Sequence, residues 1–132
     1  MLDIPQQTFS VSHLNEADFK IDGLRPYAEY RDLGIAAATG GRAQAHVIRH
    51  TVDSTKEQRV SGWHTHDLRF QMVYCLKGWI HFEFEGQGEQ IMRPGSCWLM
   101  PPNIKHKVLG TSEDMELLEI VMPADFETND AE

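Results

Sequence analysis

No apolar run in the chain exceeds five residues, and the longest is Met72-Val73-Tyr74-Cys75-Leu76. A membrane-spanning helix needs about 20 such residues, so a helical membrane protein is excluded. The opening residues, Met1-Leu2-Asp3-Ile4-Pro5, contain neither a basic nor an apolar segment. No signal peptide is expected, and a cytoplasmic location is. Cysteine is scarce. The two present, Cys75 and Cys97, have apolar neighbours and no CxxC spacing, which reads as two buried free thiols in a reducing compartment. Basic charge is also short: 12 Lys and Arg face 20 Asp and Glu, for a net charge of −8. Without a basic patch to neutralise phosphates, nucleic-acid binding is excluded. The excess is uneven, because 12 acids precede residue 113 and balance the 12 bases, leaving eight from Glu113 to Glu132. Those eight read as a solvated face and tail. A Ser-His-Asp set and a P-loop are missing, and Gly40-Gly41-Arg42 does not open a dinucleotide-binding fingerprint.

What is present describes one globular domain of 132 residues, 41% hydrophobic and 24% charged. Chains of this size bury roughly 65–70% of their unfolded surface, enough for a core without disulfides. Ser12 to Lys20 holds a weak helical signal with Ser12 or Asn15 as N-cap. From residue 33 the punctuation is that of short strands. Ile35–Thr39, Gly40-Gly41 and Arg42–His50 read as a hairpin. Gln71–Lys77 is apolar on both faces, which predicts a strand covered on both sides. Trp79–Glu85 alternates, with Ile80, Phe82 and Phe84 facing in and His81, Glu83 and Glu85 facing out. Turns at Gly86-Gln87-Gly88, Pro94-Gly95 and Pro101-Pro102-Asn103 separate Glu89–Arg93 and Ser96–Met100 from a strand at Lys105–Leu109. Glu116–Met122 is the last strand. The class is all-β, a sandwich or small barrel. Its expected parts are an N-terminal extension over 1–32, a barrel over 33–122 and an acidic tail over 123–132.

Gly62-Trp63-His64-Thr65-His66 is the sharpest local feature. Residues i and i+2 of a strand share a face, so His64 and His66 can hold one metal ion between them. His106 shares its strand face with Val108. Four residues separate His66 from Gln71 and six separate Gln71 from Gly78. Pro94-Gly95 and Pro102-Asn103-Ile104-Lys105-His106 follow in order.

This arrangement, from Gly62 to Val108, resembles the two motifs of the cupin superfamily. The resemblance implies a double-stranded β-helix, or jelly-roll barrel, with a metal on its axis near one mouth. His64, His66 and His106 match the family's three histidine ligands, and Gln71 matches its usual glutamate. Asn103 stands where the family often has Gly, and Ser96 replaces a frequent Asp; both changes fall in turns. The Gln71 departure matters more, because four neutral ligands leave a divalent ion its full charge. That favours Lewis-acid chemistry on a carbonyl or enolate oxygen and departs from the two-His-one-carboxylate set of Fe(II) oxygenases. Fe, Mn, Co, Ni, Cu or Zn would each suit the donors.

Three functions follow from the resemblance: a non-redox isomerase- or lyase-like enzyme, a metal-dependent dioxygenase, or a non-catalytic module that binds a small ligand. No general base is identifiable outside the ligands. Expected pocket residues are His46, on the strand before the His-x-His motif, Arg69 between the ligands, Trp63 at the mouth, and Trp98 and Met100 on a later strand. The partner is a small molecule, with no nucleic acid and no membrane. Cupins commonly cover an apolar outer face by pairing sheets, so the resemblance implies a homodimer.

Overall fold

The computed structural model describes residues 6–21, 27–126 and 128–130. The readings made on Met1–Pro5, Glu127 and Glu132 lie outside the described residues. The weak helical signal at the N-terminus becomes a single 3-10 turn, Glu16–Asp18, whose N-cap Asn15 accepts a hydrogen bond from the Ala17 N–H at 3.0 Å. Two short strands follow, β1 (Phe19–Lys20) and β2 (Ala28–Asp32), which pair with each other. The remaining strands are β3 (Gln44–His50), β4 (His64–His66), β5 (Phe70–Lys77), β6 (Ile80–Phe84), β7 (Gly88–Met92), β8 (Cys97–Leu99), β9 (His106–Thr111), β10 (Glu116–Met122) and β11 (Thr128–Asp130). They form a six-stranded sheet in the order β1-β2-β3-β10-β5-β8 and a five-stranded sheet in the order β11-β4-β9-β6-β7. Every pairing is antiparallel. The two sheets face each other as a jelly roll. Strands from both flanks of residues 33–122 join it, since β2 belongs to the larger sheet and β11 pairs with β4.

The core is built from alternate residues of the facing strands. Ile80, Phe82 and Phe84 of β6 are buried, as their alternation predicts, and pack with Val73, Cys75, Trp98, Val108 and Leu117. Phe82 lies edge-on to Trp98 at 5.6 Å between ring centroids. A bulge in β9 keeps this order. Phe82 pairs with Val108 but His81 pairs with Gly110, so Leu109 is an extra residue. His106, Val108 and Thr111 are all buried in spite of the odd spacing to Thr111.

Three expectations are corrected. Ile35–Thr39 is not a strand: Ile35–Ala38 forms one helical turn, α1, after Gly34 in the left-handed region. Three consecutive alanines favour helix over strand, and the positive φ of Gly40 and Gly41 ends that turn, with the Gly41 N–H on the Ala36 carbonyl at 2.9 Å. β3 takes β2 as its neighbour instead. In β5, Gln71, Val73 and Cys75 are buried, but Tyr74 and Leu76 are 38% and 40% exposed. The second sheet covers only one face of this strand. By the same alternation Trp98 of β8 points inward and Cys97 outward, so Cys75 is a buried thiol and Cys97 an exposed one. Both are free. No helix among the described residues is long and apolar enough to cross a membrane.

Gly78, in the turn between β5 and β6, has φ +66°, and a Cβ there would sit 2.1 Å from Ser112 Oγ and 3.0 Å from the Met115 Cα. Gly86 has φ +76° but open space around it. Left-handed backbone costs a substituted residue about 1–2 kcal/mol, and overpacking adds about 1–3 kcal/mol. Gly78→Ala should therefore destabilise by about 2–5 kcal/mol and Gly86→Ala by only about 1–2 kcal/mol, compared by urea unfolding.

Candidate metal centre

The smaller sheet supplies three imidazoles. His64 and His66 lie on one face of β4, and His64 is paired in register with His106 of β9. Their ring centroids are 4.2–5.1 Å apart, and one ligand atom from each lies within 4.8 Å of the others. His64 and His106 are only 6% and 3% exposed.

Local backbone settles how two of the rings are protonated. His64 Nδ1 lies 2.9 Å from the Gly62 carbonyl and His106 Nδ1 lies 3.0 Å from the Ile104 carbonyl, in each case the residue two places back. A carbonyl only accepts, so Nδ1 carries the proton and Nε2 holds the lone pair. His66 Nδ1 lies 2.8 Å from Thr128 Oγ1, contributed by β11. Second contacts of this kind are what orient imidazoles for a metal. The triad fits a divalent transition ion by donor chemistry and by orientation.

Gln71 reaches the same cavity from the larger sheet and is 4% exposed. Its Nε2 donates to Glu119 Oε2 at 2.9 Å. A carboxylate only accepts, so the amide nitrogen must face Glu119 and the amide oxygen turns the other way. The other carboxylate oxygen, Oε1, receives a hydrogen bond from His46 Nε2 at 2.6 Å. Glu119 lies on β10 directly opposite His46 on β3 and diagonal to Gln71 on β5. Burial pushes the Glu119 carboxyl up, but the hydrogen bond and charge of His46, the Gln71 amide and the charge of His66 outweigh it and hold the group below its ordinary value.

Glu119 belongs to the run of acids read above as a solvated face, yet it alternates with Leu117 and Val121 on the inward face of its strand. That alternation was the available signal.

The remaining candidates divide cleanly. His46, Trp98 and Met100 line the same cavity of about 440 Å³ as the triad. Arg69 and Trp63 are not among its lining residues. Arg69 is exposed in the turn before β5. Trp63 precedes His64 and so faces the other side of the sheet, where Lys107 Nζ lies 4.7 Å from its ring centroid. His81 also lies outside the cavity, 2.9 Å from Glu89.

Residues 51–121 match the family model of the cupin domain, Cupin_2. The chain is a cupin. No curated protein matches its sequence. Solved structures do resemble it. KdgF from a Halomonas species is 19% identical, with a TM-score of 0.68 over 88% of this chain and 94% of that one. The polyketide cyclase RemF from Streptomyces resistomycificus is 17% identical, with a TM-score of 0.69 over 92% and 86%. An RmlC-like cupin from Shewanella frigidimarina is 18% identical, with a TM-score of 0.63 over 90% and 95%. At these identities the likeness establishes the fold alone.

The His46–Glu119–Gln71 chain should hold the larger sheet together at the cavity. Truncation by Glu119→Ala leaves His46 and the Gln71 amide facing a void and should cost about 3–5 kcal/mol in urea unfolding. A lowered folded value has a defined sign. Its stabilisation is present above the unfolded carboxyl value of about 4.3 and is lost as pH falls through the lower folded value. The acid limb of the stability profile should therefore be shallower in Glu119→Gln than in the wild type.

Proposed function

We propose that this cupin is a small-molecule enzyme in which His64, His66, Gln71 and His106 hold one divalent transition metal for non-redox chemistry of the isomerase or lyase kind. The observation that carries this reading is the hydrogen-bonded pair of His46 and Glu119, which faces the same cavity as the three imidazoles. A module that only binds a ligand has no need of an acid–base pair beside its metal donors. A divalent ion on these donors would supply Lewis acidity toward a carbonyl or enolate oxygen. The chain's own groups do the rest. His46 Nε2 donates to Glu119 Oε1, and the pair can take a proton from, or return one to, a carbon or oxygen of the substrate. Gln71 contributes a neutral oxygen and relays the position of Glu119. The largely apolar lining, Val73, Ile80, Phe82 and Val108 among it, lowers the local dielectric and strengthens both effects.

The test is solvent deuterium incorporation at carbon, followed by NMR over a panel of oxo- and hydroxy-acids, with dissolved oxygen monitored in parallel. Metal-dependent exchange without oxygen uptake is expected, falling about 10²–10⁴-fold in Glu119→Gln. Oxygen consumed in step with turnover would instead mean a dioxygenase, and ligand binding without exchange or turnover would mean a binding module.

The same reading takes the chain as a cytoplasmic homodimer. Tyr74, Leu76, Leu99 and Met122 expose 38–60% of their surface on the outside of neighbouring strands β5, β8 and β10. A contiguous apolar face of this kind favours self-association, and the exposed free thiol of Cys97 suits a reducing compartment. Light scattering should give twice the chain mass for the wild type and the single mass for Leu99→Glu. A monomeric wild type would overturn the dimer.

A further inference from the structure

The cavity extends well beyond the histidines. His46, Ile48 and His50 of β3 all line it, and four residues of strand span about 13 Å. The segment that leaves β3 after His50 brings one more charged group into the lining, Arg59, which is 3% exposed. Its hydrogen bonds among the described residues run from Nη1 to Ser54, 2.8 Å to the carbonyl and 3.3 Å to the hydroxyl. Its Nε is buried with no partner among the described residues. The two carboxylates that line the cavity are engaged elsewhere, Glu119 with His46 and Gln71, and Asp32 with the Gly34 N–H at 2.7 Å. The guanidinium therefore has no counter-charge among the described residues, in a place where an uncompensated cation is costly. A second lining group points to the same chemistry. Trp98 Nε1, also buried, has no acceptor among the described residues. Both groups are donors, so the missing partner is an acceptor.

With Nη1 committed to Ser54, the guanidinium edge that remains is Nε with Nη2, two parallel N–H groups that match the two oxygens of a carboxylate. A single carboxylate matches that edge oxygen for N–H and balances the one guanidinium charge. We infer that Arg59 is a carboxylate-binding residue and that the cavity takes a small oxygen-bearing acid, its carboxylate on Arg59 and its reacting end toward the histidines. The second half of that statement rests on the enzyme reading above; the first half does not.

The experiment uses the full chain as purified, with metal content measured on the same samples, and titrates hexanoate and its neutral isostere hexanamide by calorimetry. Wild type should bind hexanoate at least about tenfold more tightly than hexanamide. Arg59→Gln should erase that preference while keeping its metal, and Arg59→Lys, which keeps the charge without the paired N–H groups, should fall between. The lysine variant also serves if the glutamine variant fails to fold. His64→Ala should lose metal and keep hexanoate. Equal affinity for the two probes, unchanged hexanoate binding in Arg59→Gln, or loss of hexanoate in His64→Ala would overturn the assignment. A wild type without metal that still selects hexanoate through Arg59 would overturn the enzyme reading and uphold this one.

Discussion

A carboxylate largely withdrawn from water between two β-sheets must be paired, and the pairing of Glu119 organises the interior of this protein. β10 is flanked by β3 and β5 in the larger sheet, so its inward residues meet those of both neighbours. His46 answers one oxygen of Glu119 from β3, and Gln71 answers the other from β5. The consequence for Gln71 is orientation. Its nitrogen is claimed by the carboxylate, and the opposite atom of the amide, the oxygen, is left as the one able to meet a cation. A glutamine in place of the family's usual glutamate is therefore matched by a carboxylate one hydrogen bond further back. The negative charge has moved to the next shell of contacts and remains in the cavity wall.

The smaller sheet solves the complementary problem. Three imidazoles crowded within 4.8 Å of one another would repel if all were cationic. Two of them are fixed by their own backbone with Nδ1 protonated, which turns the lone pairs of His64 and His106 to Nε2. The C-terminal strand adds Thr128 at His66, and the Phe126 ring stands edge-on to that imidazole at 5.8 Å. One sheet thus presents three imidazoles, two of them with Nε2 turned toward the cavity. The other presents an oriented amide backed by a charge-balanced pair. Both sets line one cavity, and the jelly roll brings them face to face.

Much of this was legible beforehand because period-2 alternation is a local property. Ile80, Phe82 and Phe84 could be assigned inward, and the likeness of Gly62 to Val108 to the two cupin motifs implied the jelly roll. What escaped was decided by neighbours in space. Ile35–Ala38 lies among strand-like punctuation, but its alanines prefer a helical turn once β2 has taken the place beside β3. Glu119 escaped because it sits in a run of acids, and only the register of β10 with β3 and β5 separates it from the solvated ones. Trp63 and Arg69 were named for their closeness in sequence to His64 and Gln71. A strand sends adjacent residues to opposite faces, and Arg69 sits in the turn before its strand begins. Arg59 gave no signal at all, since a loop arginine shows its burial only in three dimensions.

The proposed metal site draws its donors from both sheets, His64, His66 and His106 from the smaller and Gln71 from the larger. It is tested most directly by the metal content of protein purified without chelator or nickel-affinity steps, with X-ray absorption on the bound ion, for wild type and His106→Ala. Close to one transition metal per chain is expected, with imidazole scattering, an additional oxygen donor, and loss of the metal in His106→Ala. A folded wild type without metal, or an ion retained unchanged in His106→Ala, would contradict it.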